Sequence, residues 1–324
     1  MALRDIGHEQ TDKTIEEIER RLQKEYRQAY KEVEQKYNEY MQRFKGRDAE
    51  MRQVLDAGKI TQEEYNKWRH GQVCVGGRWK ELKETLANDL KMVDMKARSI
   101  TQGYMPEVYA INHNYATYQV ERDSMIDTSY TLYNRRAVEN MIRDDRTLLP
   151  YPREDSPTAK MLMERKDLAW NQEKIHGAIT QGILQGESNS QIARRLERVV
   201  GMDRAAAIRN ARTMMTGVEN KARQDAYDDL KEKGIDIREK WIATLDGRTR
   251  ASHRWMHGSY KDPETGEYDN GLRYPADPNG DPSEVYNCRC CEIAEVMGHT
   301  IDTPKYSPKL NGMSFDEWQS AKGK

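Results

Sequence analysis

The sequence predicts a mainly α protein in which long, extended helices precede a small C-terminal α+β module. Three observations carry that prediction. From Ile15 to Phe44 apolar side chains recur at helical spacing without a break. From Trp79 to about Asp145 only Gly103 and Pro106 interrupt helical patterns. After Gly234, two β-forming segments bracket a long stretch rich in Gly, Pro and Asp.

Composition frames these elements. The 324 residues are 36% hydrophobic and 33% charged, with a mean hydropathy of -1.02. Counted with glycine and without tyrosine, about 37% are apolar, against roughly 45–50% in globular chains, so a single compact globule is not expected. Phe occurs 2 times against 18 Tyr and 16 Met, so many large side chains carry a polar tip or a flexible thioether suited to protein contacts. No stretch approaches the roughly 18 apolar residues of a membrane span, and the first residues lack a signal-peptide core. A soluble protein made in a cytoplasm is expected. A net charge of -1 argues against a general nucleic-acid coat.

The first element is a helix. Ile15, Ile18, Leu22, Tyr26, Ala29, Val33, Tyr37, Tyr40 and Phe44 follow an eleven-residue repeat, which keeps the stripe nearly straight along the helix. Thr14 with Glu17 reads as a capping box at its start, and Gly46 as its stop. Thirty such residues span about 45 Å. A second capping box, Thr61 with Glu64, opens another helix, and the glycines between Gly71 and Gly77 read as a turn or small hairpin containing Cys74, an apolar filler. Helix then resumes to about Asp145, completing an extended arm over 1–147.

Three prolines between Leu148 and Pro157 mark a linker, 148–157. A helical region follows over 158–233, with Ser188 as an N-cap. Between Arg194 and Arg223 it carries eight basic residues against three acidic ones, and Arg194, Arg195, Arg209 and Arg212 are the candidate nucleic-acid contacts. A solvated helix surface is the plainer reading of the same charges.

The module covers 234–298. Its first strand runs from Ile235 to Thr244, a short helix from about Arg248 to Met256, and its second strand starts at Cys290. The tail, 299–324, reads as a loosely attached extension. His253 and His257 are four apart and share a helix face, while Cys288 and Cys290 flank Arg289 where a loop meets a strand. Two imidazoles and two thiolates make a closed, structural zinc site, with Cys291 or Asp246 as substitutes for one ligand. A proline-rich loop of about thirty residues buries little, and a metal joining its ends offsets its ordering entropy. Reduced structural cysteines and a redox or disulfide role are the alternatives. Asp246, Arg248, Arg250, His253 and Asn287 also form an alternative metal-assisted nuclease centre. Four filled ligands leave it no open position, so no catalytic residue and no enzyme activity are expected. The remaining histidines, His8, His70, His113, His176 and His299, share no pattern and read as ordinary surface or partly buried residues.

Trp241-Ile-Ala-Thr-Leu-Asp246-Gly-Arg248-Thr-Arg250, then His253, Gly258, Tyr274-Pro275 and Asn287-Cys288-Arg289-Cys290, together resemble the signature of phage Mu F-like head morphogenesis proteins. The resemblance covers about Gly234 to Val296, with weaker support from Gly186 to Leu196 and Arg212 to Glu219. It implies a minor capsid protein of a tailed bacteriophage, located in the virion at the portal or head interior after assembly in the host cytoplasm. The implied partners are the portal protein, the major capsid protein or scaffold, and packaged DNA, with neither a membrane nor a small-molecule substrate. It implies a structural role in head assembly, DNA packaging or ejection; the alternative is an effector or nuclease ejected with the genome. Relatives of this kind also carry toxin or ADP-ribosyltransferase domains after the module, and none is expected in the short tail. His257 stands where relatives commonly have another polar residue.

Overall fold

The structure, a computed structural model, describes residues 5–72, 76–144, 173–175, 177–181, 187, 189–300 and 306–323. The predicted linker 148–157, Cys74, His176 and Ser188 lie outside them. In chain order the elements are α1 (Ile6–Asp56), α2 (Gln62–His70), α3 (Gly77–Gln102), α4 (Met105–Ser124), α5 (Arg135–Asp144) and α6 (Asn189–Glu232). Then come β1 (Ile235–Ile242), α7 (Ala251–Met256), α8 (Pro282–Val285), β2 (Cys291–His299), a 3-10 turn (Pro308–Gly312) and α9 (Phe315–Lys322). This is the mainly α architecture with a C-terminal α+β module. The chain forms two compact units, one of Met1–Glu19, Ile100–Met163 and Arg209–Lys324, the other of Arg20–Ser99 and Glu164–Ile208. That division cuts across the predicted boundaries at 147, 157 and 233.

The first helix is longer than its sequence signals suggested. It has 51 residues, about 76 Å at 1.5 Å per residue. Its N-terminus is capped by the Asp5 carboxylate, which accepts the His8 amide at 2.9 Å. Thr14 lies inside, its hydroxyl donating to the Gln10 carbonyl at 2.9 Å, so it does not start the helix. Gly46 does not end it either. A lone glycine costs a helix about 1 kcal/mol, whereas each large side chain of the buried stripe contributes about 1.5–3 kcal/mol. Ile15, Ile18, Leu22, Tyr26, Ala29, Val33, Tyr37 and Phe44 are buried as predicted, with Met41 taking the place of Tyr40.

Within the Arg20–Ser99 and Glu164–Ile208 unit, α1 and α3 run antiparallel. Tyr26 donates to Asp94, Glu25 pairs with Lys96 at 2.6 Å, Lys36 with Asp89 at 2.6 Å, and the Tyr40 and Trp79 rings lie 5.8 Å apart. The capping box of Thr61 and Glu64 starts α2 as predicted, and Trp68 stacks on Phe44 and Tyr65. Gly71 caps α2 and Gly77 begins α3; no strand occurs here among the described residues.

In the other unit, helix is interrupted over 125–134, a break the sequence reading did not place. Met125 and Ser129 have φ of 57° and 56°, and the buried Glu121 carboxylate accepts the amide and hydroxyl of Thr128 at 2.8 and 2.6 Å. The same carboxylate accepts the Trp318 indole at 2.7 Å and pairs with Lys322 at 2.9 Å. The described tail is therefore not loose. Phe315 and Trp318 of α9 are buried with Tyr115, Tyr118 and Tyr130, and Ser314 and Glu317 form a capping box. Nor is His113 an ordinary surface residue: it is buried, bonded to the Tyr130 hydroxyl at 2.8 Å and stacked on Tyr133.

The two strands form an antiparallel ribbon running from Ile242 opposite Cys291 to Ile235 opposite His299. Ile235 and Ile237 bury one face against Ala226, Tyr227 and Leu230 of α6 and Ala116 and Val120 of α4. The excursion between the strands also has its own core, contrary to expectation: Tyr268, Leu272, Ala276 and Val285 pack with Trp241, Ala243, Met256, Cys288 and Cys290. Gly280 is required there, because a Cβ would collide with the Leu272 side chain.

Candidate metal centre

The residues that follow β1 fold back on themselves. Asp246 accepts the Arg248 amide at 2.9 Å, and the Thr249 hydroxyl donates to the Thr244 carbonyl and lies 3.1 Å from Asp246 Oδ1. A short aspartate-centred turn results. It delivers the chain into α7, on which His253 is buried. The Asp246 carboxylate is bound on both oxygens by Arg289 at 2.6 Å. These bonds and the Arg248 amide hold its pKa far below the usual carboxylate range.

The cysteine-bearing segment before β2 is held by one face of α6. Thr213, Thr216, Asn220 and Arg223 are spaced 3, 4 and 3 and so lie in line along the helix. The Thr213 hydroxyl accepts the Asn287 amide at 3.0 Å, and Thr216 donates to the Cys288 carbonyl at 3.0 Å. Asn220 donates to the Cys290 carbonyl at 3.1 Å and accepts the Glu292 amide at 2.8 Å, while Arg223 donates to the Glu292 carbonyl at 2.9 Å. Asn287 takes a left-handed conformation, φ 57°, which asparagine tolerates better than most residues. Thus four polar side chains of a helix fix a strand-like segment that has few ladder partners of its own. Their helical spacing was visible in the sequence, but polar residues on a basic helix read as a solvated face.

His253, Cys288 and Cys290 converge between these two supports, exposed by only 2%, 1% and 2%. His253 Nδ1 lies 3.3 Å from Cys290 Sγ and 3.6 Å from Cys288 Sγ. A tetrahedral zinc ion, with bonds of about 2.3 Å to sulfur and about 2.0–2.1 Å to nitrogen, would separate such donors by about 3.5 Å. The trio fits the ion. Hydrogen bonding from Cys288, then from His253, pulls the Cys290 thiol pKa down, whereas burial pushes that of Cys288 up. The trio thus has one thiolate favoured even without a cation, as a metal ligand requires. The other imidazole nitrogen, Nε2, lies 3.1 Å from Glu284 Oε2 without a hydrogen bond between them. The Trp241 ring stands edge-on to the imidazole, 5.2 Å between centroids and 81° between planes, and fixes the ring from the side.

The predicted fourth ligand is not there. His257 is the residue that ends α7, and its Nδ1 accepts the Ala243 amide at 3.2 Å. Asp246 is committed to Arg289. Cys291 joins a different buried group, with His8 and Glu219. His8 Nδ1 lies 2.8 Å from Glu219 Oε1, and Arg223 Nη2 3.3 Å from the same oxygen. Arg223 is fully buried, bound also by Asp5 and Asn112. A guanidinium already occupies that cluster, so it is a salt-bridge network rather than a second metal site. Gly7 is required beside it, since a Cβ would lie 2.7 Å from Asn112 Oδ1.

The predicted basic face is largely neutralised. Arg195 binds both oxygens of Glu187, at 2.6 and 2.7 Å. Arg212 pairs with Glu19, Lys221 with Asp225, and Arg223 is internal. Arg194 and Arg209 are exposed. Among the described residues no helix is long and apolar enough to cross a membrane.

A family model described as Phage Mu protein F like protein matches residues 173–293. Minor head protein GP7 of Bacillus phage SPP1 is 30% identical over 182 residues, 52% of this chain and 54% of that protein. The NAD(+)–arginine ADP-ribosyltransferase EFV of Enterococcus faecalis is 28% identical over 235 residues, 71% of this chain and 46% of that protein. The chain thus spans about half the length of the curated relatives it matches. No solved structure matches it.

Proposed function

Because the chain belongs, through residues 173–293, to the Phage Mu protein F like family, we propose that it is a minor head protein of a tailed bacteriophage. The observation that carries this reading is the joint match to the family and to a phage minor head protein at 30% identity. In this reading the protein resides in the virion, at the portal or the inner face of the head. Its partners are other head components, the portal protein first among them. The enterococcal transferase is matched over 46% of its length, so its activity belongs to a protein more than twice as long as the shared part. The role proposed here is structural.

The module is the rigid piece of this protein, and zinc is its proposed structural ion. His253 Nδ1, Cys288 Sγ and Cys290 Sγ would hold the ion, Glu284 stands beside the imidazole, and the α6 face keeps both cysteine carbonyls in place. When bound, the ion ties α7 to the start of β2, joining the two ends of the excursion at one point. The test of the head-protein reading is to express the chain with the portal and capsid proteins of its phage and sediment the assembled heads. The chain is expected to travel with heads and with isolated portals. A chain that stays at the top of the gradient whenever heads form contradicts the reading.

A further inference from the structure

A cavity of about 210 Å³ opens onto the trio. Besides His253, Cys288 and Cys290, its walls include Arg248, Arg250, Asn287 and Arg289, and no carboxylate lines it among the described residues. The charges at its mouth do not balance. Two carboxylates stand near it outside its walls: Asp246, both of whose oxygens Arg289 already binds, and Glu284, 3.1 Å from His253 Nε2. Arg248 reaches the Asp246 carboxylate only at 3.8 Å and leaves 76% of its side chain in solvent. Arg250 donates to two backbone carbonyls, those of Ser283 and Tyr286, which hold the guanidinium in place without cancelling its charge. Three guanidinium groups therefore line the cavity, and among the described residues no carboxylate lines it with them. Two further features narrow the ligand. The cavity is smaller than the roughly 300–1,000 Å³ of pockets that enclose a drug-sized molecule, so it admits a small group rather than a whole nucleotide. The trio supplies three protein donors where four-coordinate zinc takes four, and all three line the cavity.

We propose that this cavity is an oxyanion site: a phosphate group enters it, is held by Arg248 and Arg250, and takes the fourth position beside His253, Cys288 and Cys290. An oxyanion answers Arg248 and Arg250, neither of which is closely paired with a carboxylate among the described residues, and arginine is the side chain best shaped to bind phosphate oxygens in pairs. The phosphate is either the free ion or the terminal phosphate of a nucleic-acid strand. The proposal rests on the metal reading above and extends it, since the predicted four-ligand site would have been closed.

The full-length chain loaded with cobalt(II) in place of zinc tests both. Its visible absorption is titrated with inorganic phosphate, with a short oligonucleotide bearing a 5′-phosphate, and with the same oligonucleotide ending in a hydroxyl. A saturable shift of the cobalt bands with a phosphate-bearing probe is expected, and Arg250→Gln weakens it about tenfold with cobalt content unchanged. Arg248→Gln, an exposed position, weakens it in the same direction should Arg250→Gln not fold. A shift with the phosphorylated strand and none with the hydroxyl strand assigns the site to strand ends; a shift with inorganic phosphate alone assigns it to the free ion. A chain that takes up no cobalt overturns the metal reading and this proposal with it. Full cobalt uptake with bands indifferent to all three probes, or affinities unchanged in both arginine variants, overturns this proposal alone.

Discussion

In the unit formed by Arg20–Ser99 and Glu164–Ile208, the buried groups are mainly a stripe of Leu22, Tyr26, Ala29, Val33, Tyr37 and Phe44, with Trp79, Leu86 and Leu90 from α3. In the unit that carries the module, fully buried Arg223, Glu219, Asn220 and Glu292 lie among the apolar side chains. The first unit spreads its stability over many similar apolar contacts. The second concentrates it in a few polar groups with partners distant in sequence, about seventy residues for Asn220 with Cys290 and more than two hundred for Arg223 with Asp5. Distributed burial tolerates single losses, whereas a buried charge that loses its partners carries a large desolvation cost. The difference also explains the poor hydropathy: the module gains order from buried hydrogen bonds and ion pairs as well as from apolar contacts.

Arg223→Met is expected to make the largest change, destabilising the module-bearing unit by about 3–5 kcal/mol, because Asp5 loses its guanidinium partner and Glu219 keeps only His8. Urea unfolding followed by Trp241 fluorescence measures it, and a loss under 1 kcal/mol would erase the contrast. In the helical unit, Leu22→Ala removes one buried side chain of the stripe, at an expected cost of about 2–4 kcal/mol in the same assay.

The third test uses pH. The Glu219 carboxylate raises the His8 pKa from 6.5 to about 9, overcoming burial, which lowers it. A group whose folded pKa is raised stabilises fully below its unfolded value and loses that contribution as pH climbs through the folded one. The module-bearing unit should therefore weaken between pH 6.5 and 9, by about 2 kcal/mol. His8→Gln should flatten this slope; an unchanged slope in the variant would assign it to other groups. The smallest effect is Tyr37→Phe. The Tyr37 hydroxyl is buried without a hydrogen-bond partner among the described residues, so its removal should be neutral or stabilise by up to about 1 kcal/mol.

The same contrast decides what the sequence could say. The α1 stripe was legible because apolar periodicity is a local signal, and burial follows it at every position but Tyr40. The ends of α1 were not, since Thr14 and Gly46 carry end signals that long-range packing overrides. Cys288, Cys290 and His253 could be picked by residue type. His257 could not be judged, because the rule that places residues four apart on one face fails when α7 stops at Met256. The Thr213–Thr216–Asn220–Arg223 face escaped because its partners are backbone groups, which leave no trace in side-chain identity. The tail is a missed local signal: Ser314 with Glu317, followed by Trp318, marks a capped helix with an anchor.

Three side chains of the module, His253, Cys288 and Cys290, are proposed to hold one zinc ion. Elemental analysis of the purified full-length chain tests it directly. About one zinc per chain is predicted, retained in His257→Ala and lost in Cys288→Ser with Cys290→Ser; a wild-type chain without bound metal, or zinc that leaves with His257, would contradict it.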